Sequence, residues 1–149
     1  MGDVAEELQV RDVMSTPVLY TYPFYTVREA ATIMVEKGVG SLVVVDDMGR
    51  LIGILTRTDI LRHVVSKGLS PERVTVGEVM TRNPIYVLAD TPLSEAARLM
   101  GAKGIGHLPV LDSKTYKPIG MLSKRDILKM APFYIDLVYR MRREGAVSE

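Results

Sequence analysis

The chain of 149 residues contains no cysteine, and that one absence removes disulfides, thiolate nucleophiles and cysteine-ligated zinc together. It holds only two histidines, His63 and His107, too few for a dedicated metal centre of the zinc kind, so no metal is expected. No stretch reaches the ~18 unbroken apolar residues of a membrane-spanning helix. The opening residues carry Asp3, Glu6 and Glu7 without an apolar run, so they do not read as a signal peptide, and the cytoplasm is the expected location. An excess of one charge is missing too: 19 Lys and Arg stand against 18 Asp and Glu. A nucleic-acid binder shows a basic stripe, whereas here only Arg140, Arg142 and Arg143 cluster, in the tail; neither nucleic acid nor membrane is an expected partner. Catalytic signatures are also lacking. There is no Gly-x-Ser-x-Gly elbow, no Walker loop and no His-Glu-x-x-His. Gly38-x-Gly40 and Gly104-x-Gly106 follow helical patterns instead of opening them, which excludes a dinucleotide fingerprint. An enzyme is not expected.

What is present is a duplication. Val10-Arg11-Asp12-Val13-Met14 matches Val76-Gly77-Glu78-Val79-Met80, 66 residues on. At the same offset Val27-Arg28-Glu29-Ala30-Ala31 matches Leu93-Ser94-Glu95-Ala96-Ala97, and Lys37-Gly38-Val39-Gly40-Ser41-Leu42 matches Lys103-Gly104-Ile105-Gly106-His107-Leu108. A fourth block, Gly53-Ile54-Leu55-Thr56-Arg57-Thr58-Asp59, matches Gly120-Met121-Leu122-Ser123-Lys124-Arg125-Asp126 one residue out of step, as a single loop insertion would leave it.

Each copy reads as a βαββα unit. Short strands are predicted at Val18–Tyr22 and Ile85–Leu88. Helices follow, with Val27, Ala30, Ala31, Met34 and Leu93, Ala96, Ala97, Met100 recurring at i, i+3, i+4, i+7. Gly38 and Gly104 suit helix C-caps. The paired runs Leu42–Val45 with Leu51–Leu55, and Leu108–Leu111 with Ile119–Leu122, are near-continuously apolar, which predicts strands buried on both faces. Closing helices are predicted over Thr58–Lys67 and Arg125–Met130. A unit this small has a marginal core alone, so the two copies are expected to pack face to face as one pseudo-twofold α/β (mixed α+β) body. The expected division is repeat 1 over 10–68, repeat 2 over 76–130, and a C-terminal amphipathic helix and tail over 131–149, started by Pro132 and carrying Tyr134, Leu137, Val138 and Met141.

The duplicated Thr56-x-x-Asp59 and Ser123-x-x-Asp126 stand at strand-to-helix junctions, where unpaired amides and the helix dipole favour an anion. A hydroxyl there can donate to phosphate, an Asp can accept from a ribose diol, and Arg57 and Lys124 add positive charge. The same spacing is also a capping box, and the two roles are compatible. His63, among Ile60, Leu61, Val64 and Val65, reads as a packed or surface residue. His107 reads equally as a phosphate contact or as packing.

The ordered set of motifs resembles a tandem pair of CBS domains: Met14-x-x-Pro17 and Met80-x-x-x-Pro84, then Gly106-His107-Leu108-Pro109-Val110-Leu111-Asp112, then Gly53-x-x-Thr56-x-x-Asp59 and Gly120-x-x-Ser123-x-x-Asp126. The likeness runs from about Val10 to Met130. It implies a regulatory module with two clefts for AMP, ADP or ATP, or alternatively S-adenosylmethionine, with no catalytic cofactor. One implied cleft joins Ser123, Lys124, Arg125 and Asp126 to Thr16, Val18, Ala30, Val39, Gly40 and Ser41. The other joins Thr56, Arg57, Thr58 and Asp59 to Asn83, Ile85, Thr91, Ala96, Ile105, Gly106 and His107. Ala30, Gly40, Ala96 and Gly106 are expected to make room for a flat base. Three departures stand out: Val43 where many repeats have Pro, Tyr25 opposite Thr91 and expected to narrow the first cleft, and His107 opposite Ser41. A homodimer and a separate regulated protein are the expected partners. The competing reading is an interaction scaffold with vestigial clefts.

Overall fold

The computed structural model describes residues 8–132 and residue 140. In chain order, a 3-10 turn at Val10–Asp12 leads to β1 (Tyr20–Thr21), α1 (Val27–Lys37), β2 (Ser41–Val45), β3 (Leu51–Thr56) and α2 (Arg57–Ile60), which runs on with wider π spacing through Leu61–Val65. The second repeat has α3 (Val76–Val79), β4 (Thr81–Arg82), β5 (Val87–Leu88), α4 (Leu93–Lys103), β6 (His107–Leu111), β7 (Pro118–Ser123) and α5 (Lys124–Leu128). The expected C-terminal helix lies, apart from residues 132 and 140, outside the described residues.

Helix α1 starts where Thr26 accepts from the Glu29 amide and the Glu29 carboxylate accepts from the Thr26 amide, both at 3.1 Å, and it stops at Gly38 with φ +64°. It buries Val27, Ala30 and Met34; α4 buries Leu93, Ala96 and Met100 and ends at Gly104, also at φ +64°. Strand β2 alternates: Leu42 and Val44 join the core under α1, while Val43 and Val45 point the other way and are buried too. The covering of both sheet faces fits their unbroken apolar sequence.

The sheets order as β1-β2-β3-β4 and β5-β6-β7. Strand β4 was not foreseen, and it comes from the second repeat. Thr81 and Arg82 pair antiparallel with Ile54 and Gly53 of β3, and reciprocally Ser15 of the first repeat bridges Met121 of β7. The exchange extends upstream. The Val10 amide donates to the Thr91 carbonyl and the Val76 amide to the Tyr25 carbonyl, each at 2.8 Å; the Leu93 amide reaches Leu8, and the Val27 amide reaches Val74. Val10 is accordingly buried in the second core, and Val76, Val79 and Met80 in the first. The repeats in sequence are therefore not the units of packing. Each core is completed by the leading turn of the other copy.

The one-residue shift lies in the hairpins. The Asp46 amide donates to Arg50 and the Asp112 amide to Lys117, so the offset is 66 at the first residue (112 − 46) and 67 at the second (117 − 50). Tyr116, at φ +60°, stands before Lys117 as Gly49, at φ +77°, stands before Arg50, so the added residue lies between Asp112 and Tyr116.

Candidate functional site

Both hydroxyl–carboxylate pairs form capping boxes. Thr56 ends β3: its amide donates to Asp59 Oδ2 at 2.9 Å, and its Oγ1 accepts from the Asp59 amide at 3.1 Å. Ser123 ends β7 and makes the same two bonds with Asp126, at 2.9 and 3.1 Å. Each carboxylate keeps a second oxygen, and a hydroxyl from the other repeat reaches it. Ser15 donates to Asp126 Oδ1 at 2.8 Å, and Thr81 to Asp59 Oδ1 at 3.2 Å. Lys129 stands 3.8 Å from Asp126 Oδ1. Asp126 and Asp59 are 3% and 8% exposed, so these bonds largely satisfy carboxylates that burial would otherwise penalise.

A cleft of about 1350 Å³ runs between the repeats past both junctions. The two grooves implied by the sequence are one continuous space. Val39, Gly40, Ser41, Ser123, Lys124, Arg125 and Asp126 line it, as do Thr56, Arg57, Thr58, Asn83, Ile85, Ile105, Gly106 and His107. Six expected residues do not. Thr16 and Val18 are not among the lining residues; the chain bends at Thr16 and Pro17, and it is Ser15, Pro17 and Leu19 that line the cleft. Ala30 and Ala96 lie fully buried in the two cores, where their smallness serves helix–sheet packing; the small residues that line the cleft are Gly40 and Gly106. Asp59 is covered by its cap and by Thr81. Thr91 lines a separate outer hollow of about 460 Å³ with Tyr86, Leu88 and Arg98, and its hydroxyl accepts from the Leu88 amide at 3.2 Å. Tyr25, its counterpart, packs with Tyr22, Phe24 and the first core, so it does not narrow the cleft.

Ser15 and Thr81 were overlooked in the sequence although the duplication marks them, directly after Met14 and Met80. Arg62 and Lys129 also line the cleft unforeseen.

Charge in the cleft is one-sided. Among the described residues Arg57, Arg62, Lys124, Arg125 and Lys129 line it, with Asp126 the one carboxylate beside them. The Arg57 guanidinium lies over Gly40 so closely that a Cβ there would stand 2.6 Å from it; Lys124 lies over Gly106 with 3.5 Å to spare. His107 is held below the ordinary histidine value by burial first, then by Arg57 and Lys124, with Asp126 pulling the other way. Imidazole and cations thus meet where the two halves join. Such a site suits a phosphate-bearing anion.

Comparison with known proteins adds the following. The CBS domain family matches residues 10–66 and 76–132. An uncharacterized protein of Methanopyrus kandleri is 36% identical over 128 residues, covering 86% of this chain and 65% of that protein. The chain spans less than two thirds of the length of the first curated relatives it matches. Among solved structures, the CBS domain pair of protein MJ0100 in complex with 5′-methylthioadenosine and S-adenosyl-L-methionine aligns with TM-score 0.77 at 28% identity, covering 85% of this chain and 98% of that one. CBSX2 in complex with AMP aligns with TM-score 0.72 at 28% identity, covering 85% and 97%. Among the described residues no helix is long and apolar enough to cross a membrane.

Proposed function

Because the chain belongs to the CBS-domain family, we propose that it is a non-catalytic regulatory module holding an adenine nucleotide (AMP, ADP or ATP) in the cleft between its repeats. The observation that carries this reading is the pairing of a capped, buried carboxylate with five cations around one cleft. Asp126 Oδ1 offers an acceptor to a ribose diol. Ser123, Lys124 and Arg125, at the start of α5, offer donors and charge to phosphate, and Thr56, Arg57 and Thr58 repeat this at α2. Gly40 gives the Arg57 guanidinium room to lie against the backbone, and Gly106 borders the cleft beneath Lys124. Related pairs solved with AMP and with S-adenosyl-L-methionine support an adenosine-bearing ligand. The positive lining favours the phosphate-bearing member over the sulfonium.

A ligand can regulate only by binding two arrangements of the protein unequally. A ribose on Asp126 competes with the Ser15 hydroxyl for Oδ1, so occupancy would loosen the exchanged leading segment from the second repeat. A separate protein, or the partner in a homodimer, would read that change in the cytoplasm.

Calorimetry with AMP, ATP and S-adenosylmethionine tests the proposal. Binding of AMP or ATP, lost or weakened at least tenfold by Asp126→Asn, supports it. The complete capping boxes favour one other reading, a scaffold in which the pairs only hold helix ends. Absence of binding by all three ligands would establish that reading instead.

A further inference from the structure

Ser41 and His107 occupy the same place in the two repeats. Each is the first residue of its strand, and each pairs across its hairpin with the residue that caps the next helix, Ser41 with Thr56 and His107 with Ser123. Duplication has left a small neutral hydroxyl in one half of the cleft and an imidazole in the other. His107 is half-buried and lines the cleft. The charged groups facing it are Arg57 from α2 and Lys124 and Asp126 from α5. The Asp126 carboxylate is already engaged by the Ser123 amide, Ser15 and Lys129. Positive charge therefore prevails around the ring, and burial acts in the same direction, so both disfavour the imidazolium in the free protein.

An anion entering between Arg57 and Lys124 reverses that balance. It cancels the field that disfavours the imidazolium and places a negative charge beside the ring. We propose that His107 takes up a proton when a phosphate group binds in this half of the cleft, so that anion affinity rises as pH falls, while the Ser41 half has no such dependence. The inference rests on the cleft being an anion site, as argued under Proposed function.

The sign separates this from ordinary phosphate binding. A phosphate monoester loses its second proton with a pKa of about 6. Lys and Arg favour the dianion, so contact with them alone releases protons to the buffer. Protonation of His107 does the reverse.

The test uses the full chain with two probes, AMP and inorganic pyrophosphate. Histidine-ring NMR titrations with and without each saturating probe follow His107 directly, with His63, half-buried in the first repeat's closing helix and not among the cleft-lining residues, as internal reference. Calorimetry at pH 6.5 in buffers of different ionisation heat counts protons. The expected result is an upward move of the His107 midpoint by about one pH unit, equivalent to about tenfold in affinity, with His63 unmoved and the uptake lost in His107→Ser. If either probe binds and the His107 midpoint stays in place, the proton coupling is overturned and the proposed function stands. If pyrophosphate binds with the upward shift and AMP does not bind, the coupling holds and the adenosine reading falls. If neither binds, both fall.

Discussion

The hydroxyl of Ser15 donates to the carboxylate of Asp126 at 2.8 Å across a sequence separation of 111 residues. Thr81 and Asp59 repeat the contact at 3.2 Å. Each bond ties the leading segment of one repeat to the capped helix of the other, and in Asp126 the same carboxylate both holds the fold and lines the cleft. A hydrogen bond to a charged, buried acceptor is worth about 1.5–3 kcal/mol. Ser15→Ala should therefore lower unfolding free energy by about 2 kcal/mol. Asp126→Ala, which also removes the capping box, should lower it by about 3 kcal/mol. The double variant should cost less than the sum, because both changes delete the same bond. Urea denaturation of the three proteins checks this, and strict additivity would show that the contact contributes nothing.

Thr21 in β1 is 1% exposed, and its hydroxyl has no hydrogen-bond partner among the described residues. Its counterpart in the second repeat is Val87, packed in the second core. The two side chains have the same shape, so Thr21→Val exchanges an unsatisfied hydroxyl for a methyl in an existing space. The expected gain is about 1 kcal/mol. A thermal midpoint that falls in this variant would mean that the hydroxyl is satisfied in solution.

Gly53 and Gly120 are the points where the exchanged segments cross the sheets. A Cβ at Gly120 would stand 2.8 Å from Met14 Sδ and 3.0 Å from the Ser15 carbonyl; one at Gly53 would stand 2.6 Å from Met80 Sδ and 3.0 Å from the Thr81 carbonyl. The methionine ends can swing aside, but the carbonyls belong to the pairing itself. Gly120→Ala and Gly53→Ala should each cost about 1–3 kcal/mol. Gly101, inside α4 with nothing within 4 Å of its Cβ site, should behave oppositely. Gly101→Ala is expected to stabilise by about 0.5–1 kcal/mol. Chemical denaturation of the three variants gives the contrast.

Local signals were legible in the sequence. The period of Val27, Ala30 and Met34, the stop at Gly38 and the unbroken apolar run of β2 each correspond to an observed element. The exchange was not, because β4 is a two-residue strand, and residues such as Thr81 and Arg82 carry no period to read. Its partner lies in the other copy, and a repeat pattern says which residues are equivalent without saying which copy completes which core. The same limit explains Thr16 and Val18: the motif marks the segment, but the chain bends at Thr16 and Pro17, and a bend has no period that says which side chains meet the cleft. Ala30 and Ala96 carry two readings in the sequence, an apolar position in a helix period and a small residue beside a base; both are buried in the cores, so the helix period was the better guide.

Titration should divide acid destabilisation into two windows. Asp46 lies below the usual carboxylate range because it accepts from the Arg50 amide, and also from the Arg50 guanidinium and the Met48 amide. Asp112 is lowered by the Thr115 and Lys114 amides. A carboxyl lowered by folding contributes stability that is present above its unfolded value, about 3.9, and lost as pH falls through the folded one. His107 is also lowered on folding, mainly by burial. For a histidine this means the unfolded chain binds the proton first, so stability is full above about 6.5 and declines as pH falls below it. Ligand-free protein should thus lose stability first between neutrality and mild acid, and again below the carboxylate range. Thermal midpoints across pH 8 to 2.5 should show the upper step disappear in His107→Ser. The lower step should shrink in Asp46→Asn, whose amide oxygen can still accept from the turn but carries no charge. An upper step that survives in His107→Ser would place the titrating group elsewhere and remove the electrostatic basis for coupling His107 to the cleft.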